Sequence, residues 1–310
     1  MSTKYAEIYL RNVNPDYFME HKYSFGWIPD IPDFRDYTTE HPEVQSTLVK
    51  LNIHGPASTK SVPPLPPNVD LRQYCSPIRD QGNLGSCTAE ACVGALEYFE
   101  RRAFGNDIKA SPLFLYKVTR DLIQVTGDTG ACGRNAMGAL ATIGACPEKY
   151  WPYNTARYDN EPPTLCYLLA GDYKSTQYVR LDIPNISNDA LLKDIKTYLA
   201  IGIPAIYGFT VYSSIDQATN TGRIPFPGSN DSILGGHENL IVGYEDDMQI
   251  KNSETGKVTT GALITRNSWG TSWGDAGCGY LPYDYVLKGV TQDWWVMLKD
   301  AWIDTGKFGF

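Results

Sequence analysis

Beyond residue 64 the chain has one histidine, His237, and three short blocks around it carry residue types that do chemistry together. Gln81-Gly-Asn-Leu-Gly-Ser-Cys87 holds a thiol with a side-chain amide six residues before it. Gly235-Gly-His237-Glu-Asn239 holds the imidazole, and Arg266-Asn267-Ser-Trp-Gly270 holds an amide able to orient it. These are the parts of thiol-based acyl transfer. Cys87 is the candidate nucleophile and His237 the candidate proton shuttle. The Asn267 oxygen can fix the imidazole tautomer, and Gln81 with the Cys87 backbone N–H can stabilise an oxyanion.

Each residue also has a plainer reading. A lone cysteine is most often a buried structural thiol, and that is the reading taken for Cys92. For Cys87 the surroundings differ. A helix start lowers a thiol pKa, and Gly82, Gly85 and Ser86 are small enough to leave that start open. His237 alone reads as a core histidine, and Asn267 alone as a turn residue. Trp269 is expected to cover the His237–Asn267 hydrogen bond and exclude water from it. Glu238 either bonds locally or faces a substrate pocket.

The elements that must position these groups are legible in the pattern. A helix is expected from Ser86 or Cys87 to about Phe104, with Val93, Leu96 and Phe99 on its apolar stripe. Ser111-Pro112 reads as an N-cap followed by proline at the first helical position, opening a helix through Leu122. Further helices are expected over Val44–Leu51, Ala136–Ile143 and Ala190–Leu199. Strand-like runs cover Pro204–Tyr212, Glu238–Gly243, Ala262–Arg266 and Trp294–Leu298, and the polar stretch 246–261 reads as a hairpin tip. Helices first and strands second predict an α+β fold of two lobes, with the thiol in the helical half and the imidazole in the β half.

Residues 1–64 differ from the rest. They hold the other three histidines, His21, His41 and His54, and are rich in Pro, Tyr and Asp. The Pro-rich run from Ser61 to Pro67 reads as a stiff linker. The domains are therefore set at 1–64, an N-terminal extension, and 65–310, with a helical lobe over 65–170 and a β lobe over 171–310. A net charge of -8 argues against nucleic acid or an anionic membrane as the main partner. No apolar run reaches transmembrane length, and Lys4, Glu7, Arg11, Asp16 and Glu20 break any signal-peptide core, so a cytoplasmic location is the default. With one histidine in the body and no Cys-x-x-Cys among seven cysteines, a metal site is not expected.

Taken together, in the order Gln, Cys, His, Asn, the three blocks resemble the signature segments of the papain family of cysteine proteases. Leu65-Pro-Pro-Asn-Val-Asp-Leu-Arg72 resembles the start of a mature enzyme of that family, and Trp151-Pro-Tyr153 its Tyr-Pro-Tyr segment. The resemblance covers about residues 65–310. It implies the two-lobed papain fold, endopeptidase chemistry on peptide and protein substrates, and no cofactor. It also implies that Gly133 lines the cleft and pairs with substrate backbone, and that Glu238 and Trp269 lie on the substrate side. The pocket near Glu238 is the one for the second residue before the scissile bond.

The departures are specific. Leu84 stands where the family has a cysteine and Thr88 where it has an aromatic residue. Cys132 therefore lacks its usual partner, and Asn267 lies 180 residues after Cys87, farther than usual. These features point to a divergent, bacterial-type or viral branch. Cys146 with Cys166 is a candidate local disulfide. The extension is too short and Pro-rich for the family's common helical pro-segment, yet 23–37 can lie across the cleft as a pseudo-substrate, making the chain a zymogen with its own inhibitor. A structural arm is the alternative. A monomer is expected. An acyltransferase or amidase with the same residues, or a non-enzymatic binding protein, are the other functions considered.

Overall fold

The computed structural model describes residues 24–53, 64–175 and 177–310. Of the extension, His21, His54, residues 1–23 and the start of the Pro-rich linker lie outside the described residues. Pro42–Lys50 forms α1, Cys87–Phe104 α2, Pro112–Leu122 α3, Gly133–Thr142 α4 and Thr164–Ala170 α5. The strands are β1 (Asn68–Asp70), β2 (Gln177–Arg180), β3 (Ala205–Tyr212), β4 (Ile233–Lys251), β5 (Val258–Arg266), β6 (Cys278–Pro282) and β7 (Thr291–Leu298). Asn188–Ala200 is α6, Tyr283–Leu287 α7 and Asp300–Ile303 α8. No helix among the described residues is long and apolar enough to cross a membrane.

The helix starts follow from local chemistry. Ser111 Oγ accepts the Phe114 N–H at 3.1 Å with Pro112 next to it, and Ser187 Oγ accepts that of Ala190 at 3.2 Å. His41 caps α1, its Nδ1 accepting the Glu43 N–H at 3.3 Å. α4 begins at Gly133, three residues before the expected start, and its N-cap residue Cys132 makes no side-chain cap bond. In α2, fifteen of eighteen residues are buried, so this helix is a core element rather than an amphipathic surface one. It packs on α3 and α4 on one side and on β4 on the other. The fold is α+β in two lobes, with helices α2–α5 on one side of the cleft and the sheet on the other.

The sheet is antiparallel, in the order β2-β7-β3-β4-β5-β6, with β1 added to β4. β4 runs for 19 residues, far past the expected end at Gly243. Its polar half pairs with the first half of β5, Gln249 to Lys251 facing Thr260 to Val258, so the stretch read as a tip is mostly strand. Main-chain ladder bonds do not need apolar side chains, which is why hydropathy missed it. The actual tip lies at 252–257, where Asn252 Oδ1 accepts the N–H groups of Glu254 and Thr255 at 3.0 and 3.1 Å. All seven cysteines are free thiols, Cys146 and Cys166 included.

Candidate active site

Cys87 is the first residue of α2. The loop before it is pinned by Tyr153, whose hydroxyl bonds Ser86 Oγ at 2.7 Å and the Gln81 carbonyl at 3.0 Å. His237 lies inside β4, opposite Phe209 of β3, rather than just before a strand. β5 pairs with β4 through Arg266 and Leu240, so the residue after β5, Asn267, comes beside His237. The Asn267 oxygen accepts the Ser268 N–H at 2.8 Å, which fixes that end of the amide as the acceptor. His237 Nε2, 2.8 Å from the same oxygen, is therefore the donor. Nδ1 is left without a hydrogen-bond partner and can accept a proton. Trp269 stacks on the imidazole with centroids 4.5 Å apart, as expected of a cover over this bond.

Gln81 is fully buried. Its Oε1 accepts the Ser268 hydroxyl at 2.5 Å, so the amide N–H₂ is turned toward the thiol loop, where Nε2 donates to the Leu84 carbonyl at 2.9 Å. The Gln81 main-chain N–H bonds the Ser268 carbonyl at 2.9 Å. The amide and the Asn267 segment are thus one bonded unit.

The cleft is filled by the extension. Trp27 donates its main-chain N–H to Gly236 in β4 at 3.1 Å, while Ile28 N–H and Gly26 C=O bond Ala131 across the cleft, both at 2.9 Å. Gly26 passes where no side chain fits: a Cβ there would stand 2.0 Å from the Gly85 carbonyl oxygen. The Trp27 ring packs against Cys87 and occupies the space a Cβ on Gly208 would need. Its indole N–H donates to Asp293 Oδ2 at 3.0 Å. Phe25 sits edge-on to both His237 and Trp269. Backbone pairing within the cleft is made by Ala131, two residues before the expected Gly133. A Cβ on Gly133 would lie 3.2 Å from Trp295 and 3.3 Å from a Glu238 carboxyl oxygen, so Gly133 borders the Trp27 pocket. Glu238 is buried there, and neither of its oxygens has a hydrogen-bond partner.

This covering sets the electrostatics. Burial, then the Glu238 charge, pushes the Cys87 thiol up to about 12, although the N–H groups of Glu238, Gly26 and Thr88 favour the thiolate. Burial lowers His237 to about 4 against the support of Asn267. At neutral pH both are uncharged here. Burial and the charge of Asp293 raise Glu238 well above the carboxylate range. Asp293 itself is raised to about 7 by burial, with Arg180 opposing.

Sequence reasoning missed the charged rim. Arg134 of α4 grips Asp36 with two prongs, Nε to Oδ1 at 2.7 Å and Nη2 to Oδ2 at 2.8 Å, and also bonds Asp30. Arg180 of β2 bonds the Asp30 carbonyl at 3.0 Å and pairs with Asp182 and Asp293 at 3.0 and 3.2 Å. Asp293 carries a positive φ of 57°, unusual for a non-glycine residue. An aspartate just before the two tryptophans of β7, Asp293, and a glycine inside the mostly apolar β3, Gly208, were the signals available.

Comparison with known proteins shows the family to which the chain belongs. Residues 65–290 match the family described as papain family cysteine protease. The chain is similar to an uncharacterized peptidase C1-like protein of Acanthamoeba polyphaga mimivirus, 32% identical over 88% of this chain and 86% of that one. It is 28% identical to cathepsin K of Gallus gallus, over 78% of this chain and 68% of that protein. Among solved structures, xylellain, a cysteine protease from Xylella fastidiosa, superposes with a TM-score of 0.69 at 33% identity, covering 89% of this chain and 96% of that one. The digestive procathepsin L2 of Tenebrio molitor larval midgut, at 20% identity and a TM-score of 0.62 over 92% of this chain and 81% of that one, shares the fold. The chain thus belongs to the papain family and is a cysteine peptidase, with relatives of similar identity in a virus and a bacterium.

Proposed function

We propose that the chain is an endopeptidase, made latent, in which Cys87, His237, Asn267 and Gln81 carry the chemistry. The observation that supports it most is the 2.8 Å bond from His237 Nε2 to Asn267, which leaves Nδ1 free to take a proton. The Cys87 thiol gives its proton to Nδ1 and the sulfur attacks the peptide carbonyl. The Gln81 amide and the Cys87 N–H hold the resulting oxyanion. His237 then protonates the leaving amine as the C–N bond breaks, giving a thioester. Water, deprotonated by His237, cleaves the thioester and releases the acid.

Latency follows from the covering segment. With Phe25, Gly26 and Trp27 over the pair, Cys87 is a neutral thiol and His237 a neutral imidazole, and no carbonyl can reach the sulfur. Displacing the segment rehydrates both groups, which lowers the thiol pKa and raises that of the imidazole. Glu238 is assigned to the pocket now holding Trp27, where it disfavours acidic substrate side chains. Equal hydrolysis of Arg and Glu peptides at that position would sink this assignment.

The test is peptide-library hydrolysis by the full chain, a chain lacking residues 1–64, Cys87→Ala and His237→Ala. The shortened chain should be the fastest, and both substitutions should abolish turnover with unchanged circular dichroism. Equal rates for short and full chains would end the latency reading. An added amine captured in the product in place of water would mark an acyltransferase instead.

A further inference from the structure

Arg134 stands out because of where its partners come from. It is the second residue of α4, in the body, with a side chain 19% exposed. Its two carboxylate partners, Asp30 and Asp36, both belong to the extension, and so does the Ile31 carbonyl that it bonds at 2.8 Å. Among the described residues it pairs with no carboxylate of the body. Arg180 beside it differs: Asp182 and Asp293 would remain with it if the segment left. The guanidinium plane of Arg134 also lies near the Trp295 ring, 5.8 Å from its centroid, which limits its orientation. Withdrawal of the segment therefore leaves at the rim a held guanidinium fork with its anions removed.

We propose that Arg134 is a specificity-determining residue that binds a carboxylate side chain of the incoming polypeptide. This rests on the endopeptidase reading and on displacement of the segment. The geometry of the segment sets the distance. Asp30 is three residues from Trp27, whose ring packs on Cys87, so the carboxylate lies about 10 Å along the extended chain from the residue in the Trp27 pocket. The favoured substrates are acidic at that distance and not at the pocket itself, where the carboxyl groups of Glu238 and Asp293 are already buried close together. A planar fork matches a carboxylate on two prongs, as the Asp36 contact does, so lysine at 134 does not replace it fully.

The experiment uses the full chain carrying Trp27→Ala, which removes the ring that fills the cleft. Fluorogenic peptides carry one Glu or one Gln, scanned along the sequence. One position should give about tenfold higher kcat/KM for Glu than for Gln, and 0.5 M salt should shrink that ratio. Adding Arg134→Gln should bring the ratio to one. Arg134→Glu should invert it, so that Lys peptides are preferred at the same position, which a merely structural arginine would not produce. A Glu-to-Gln ratio within twofold everywhere, or a preference that survives Arg134→Glu, overturns the proposal. If no peptide is cleaved, the endopeptidase reading fails separately. Fluorescence anisotropy of the same peptides on the Trp27→Ala, Cys87→Ala chain then decides the carboxylate site, and equal binding of Glu and Gln peptides refutes it.

Discussion

The indole of Trp27 offers a measurable handle on the proposed latency. Trp27→Phe keeps a ring in the pocket but deletes the N–H that reaches Asp293 Oδ2 at 3.0 Å. The carboxylate keeps Asp30 N–H at 3.1 Å, Arg180 at 3.2 Å and the Trp295 indole at 3.3 Å, so it is weakened rather than orphaned. A hydrogen bond to a charged group contributes about 1.5–3 kcal/mol. Lost from the closed state alone, it raises the open fraction about 10- to 150-fold. Iodoacetamide reads this directly. Cys87 is buried when the segment is in place, so its alkylation rate follows the open population when opening is fast relative to reaction. The expected result is faster labelling of Cys87 with no change at Cys92, which is buried farther along α2. In a double-mutant cycle with Asp293→Asn, the two effects should be strongly non-additive. Labelling within twofold of wild type would refute the reasoning. So would parallel acceleration at Cys92, because that reports global unfolding.

Three other outcomes follow. Gln81→Ala, measured on the opened enzyme, should lower kcat by about 10²–10³; an unchanged kcat removes Gln81 from the oxyanion site. Glu90 is buried on α2 with neither carboxyl oxygen hydrogen-bonded, and burial raises it from 4.5 to about 7 against Arg79 and Arg266. Because the folded value is the higher one, its contribution is full below about 4.5 and is lost as pH rises through about 7, on the order of 3 kcal/mol by pH 8. Glu90→Gln should therefore raise Tm at pH 8 and not at pH 4.5, and equal shifts at both would contradict this. The Cys146 thiol is pushed up by burial and then by the neighbouring Cys166 thiol, so a mild oxidant such as diamide should join them and stabilise the fold by roughly 3 kcal/mol. Peptide mapping that finds both still alkylatable after oxidation would rule the link out.

Much of the site was legible because chemistry fixes residue types at short range. A thiol at a helix start, an imidazole and an amide each carry a local signature, and the helix from Cys87 to Phe104 and its neighbour from Pro112 were readable from propensity and capping. What local pattern does not encode is pairing across the chain. Trp27 meets Asp293 over 266 residues, and Arg134 meets Asp36 over 98. The short β1, β2 and β6 hold their places through ladder partners, not through alternation of their own. Ala131, the residue that pairs with the segment backbone, has no side-chain signature at all, so Gly133 drew the expectation instead.

The segment's hold on the cleft depends on bridging. Ile28 and Gly26 bond Ala131, and Asp30 and Asp36 bond Arg134, all on the helical side. Trp27 bonds Gly236 and Asp293, and Arg180 takes the Asp30 carbonyl, all on the sheet side. Most of these contacts are modest singly, and the two-pronged Arg134–Asp36 pair, with side chains 19% and 3% exposed, is the strongest of them. Joined on one chain they act at high effective concentration, so releasing one still leaves the others to draw it back. A free polypeptide has no such tether. To displace the segment it must meet the same sites with comparable groups: a side chain for the Trp27 pocket, main chain for Ala131 and Gly236, and an anion for Arg134. If the chain is latent as proposed, the contacts that hold the segment in the cleft therefore also describe what is able to open it.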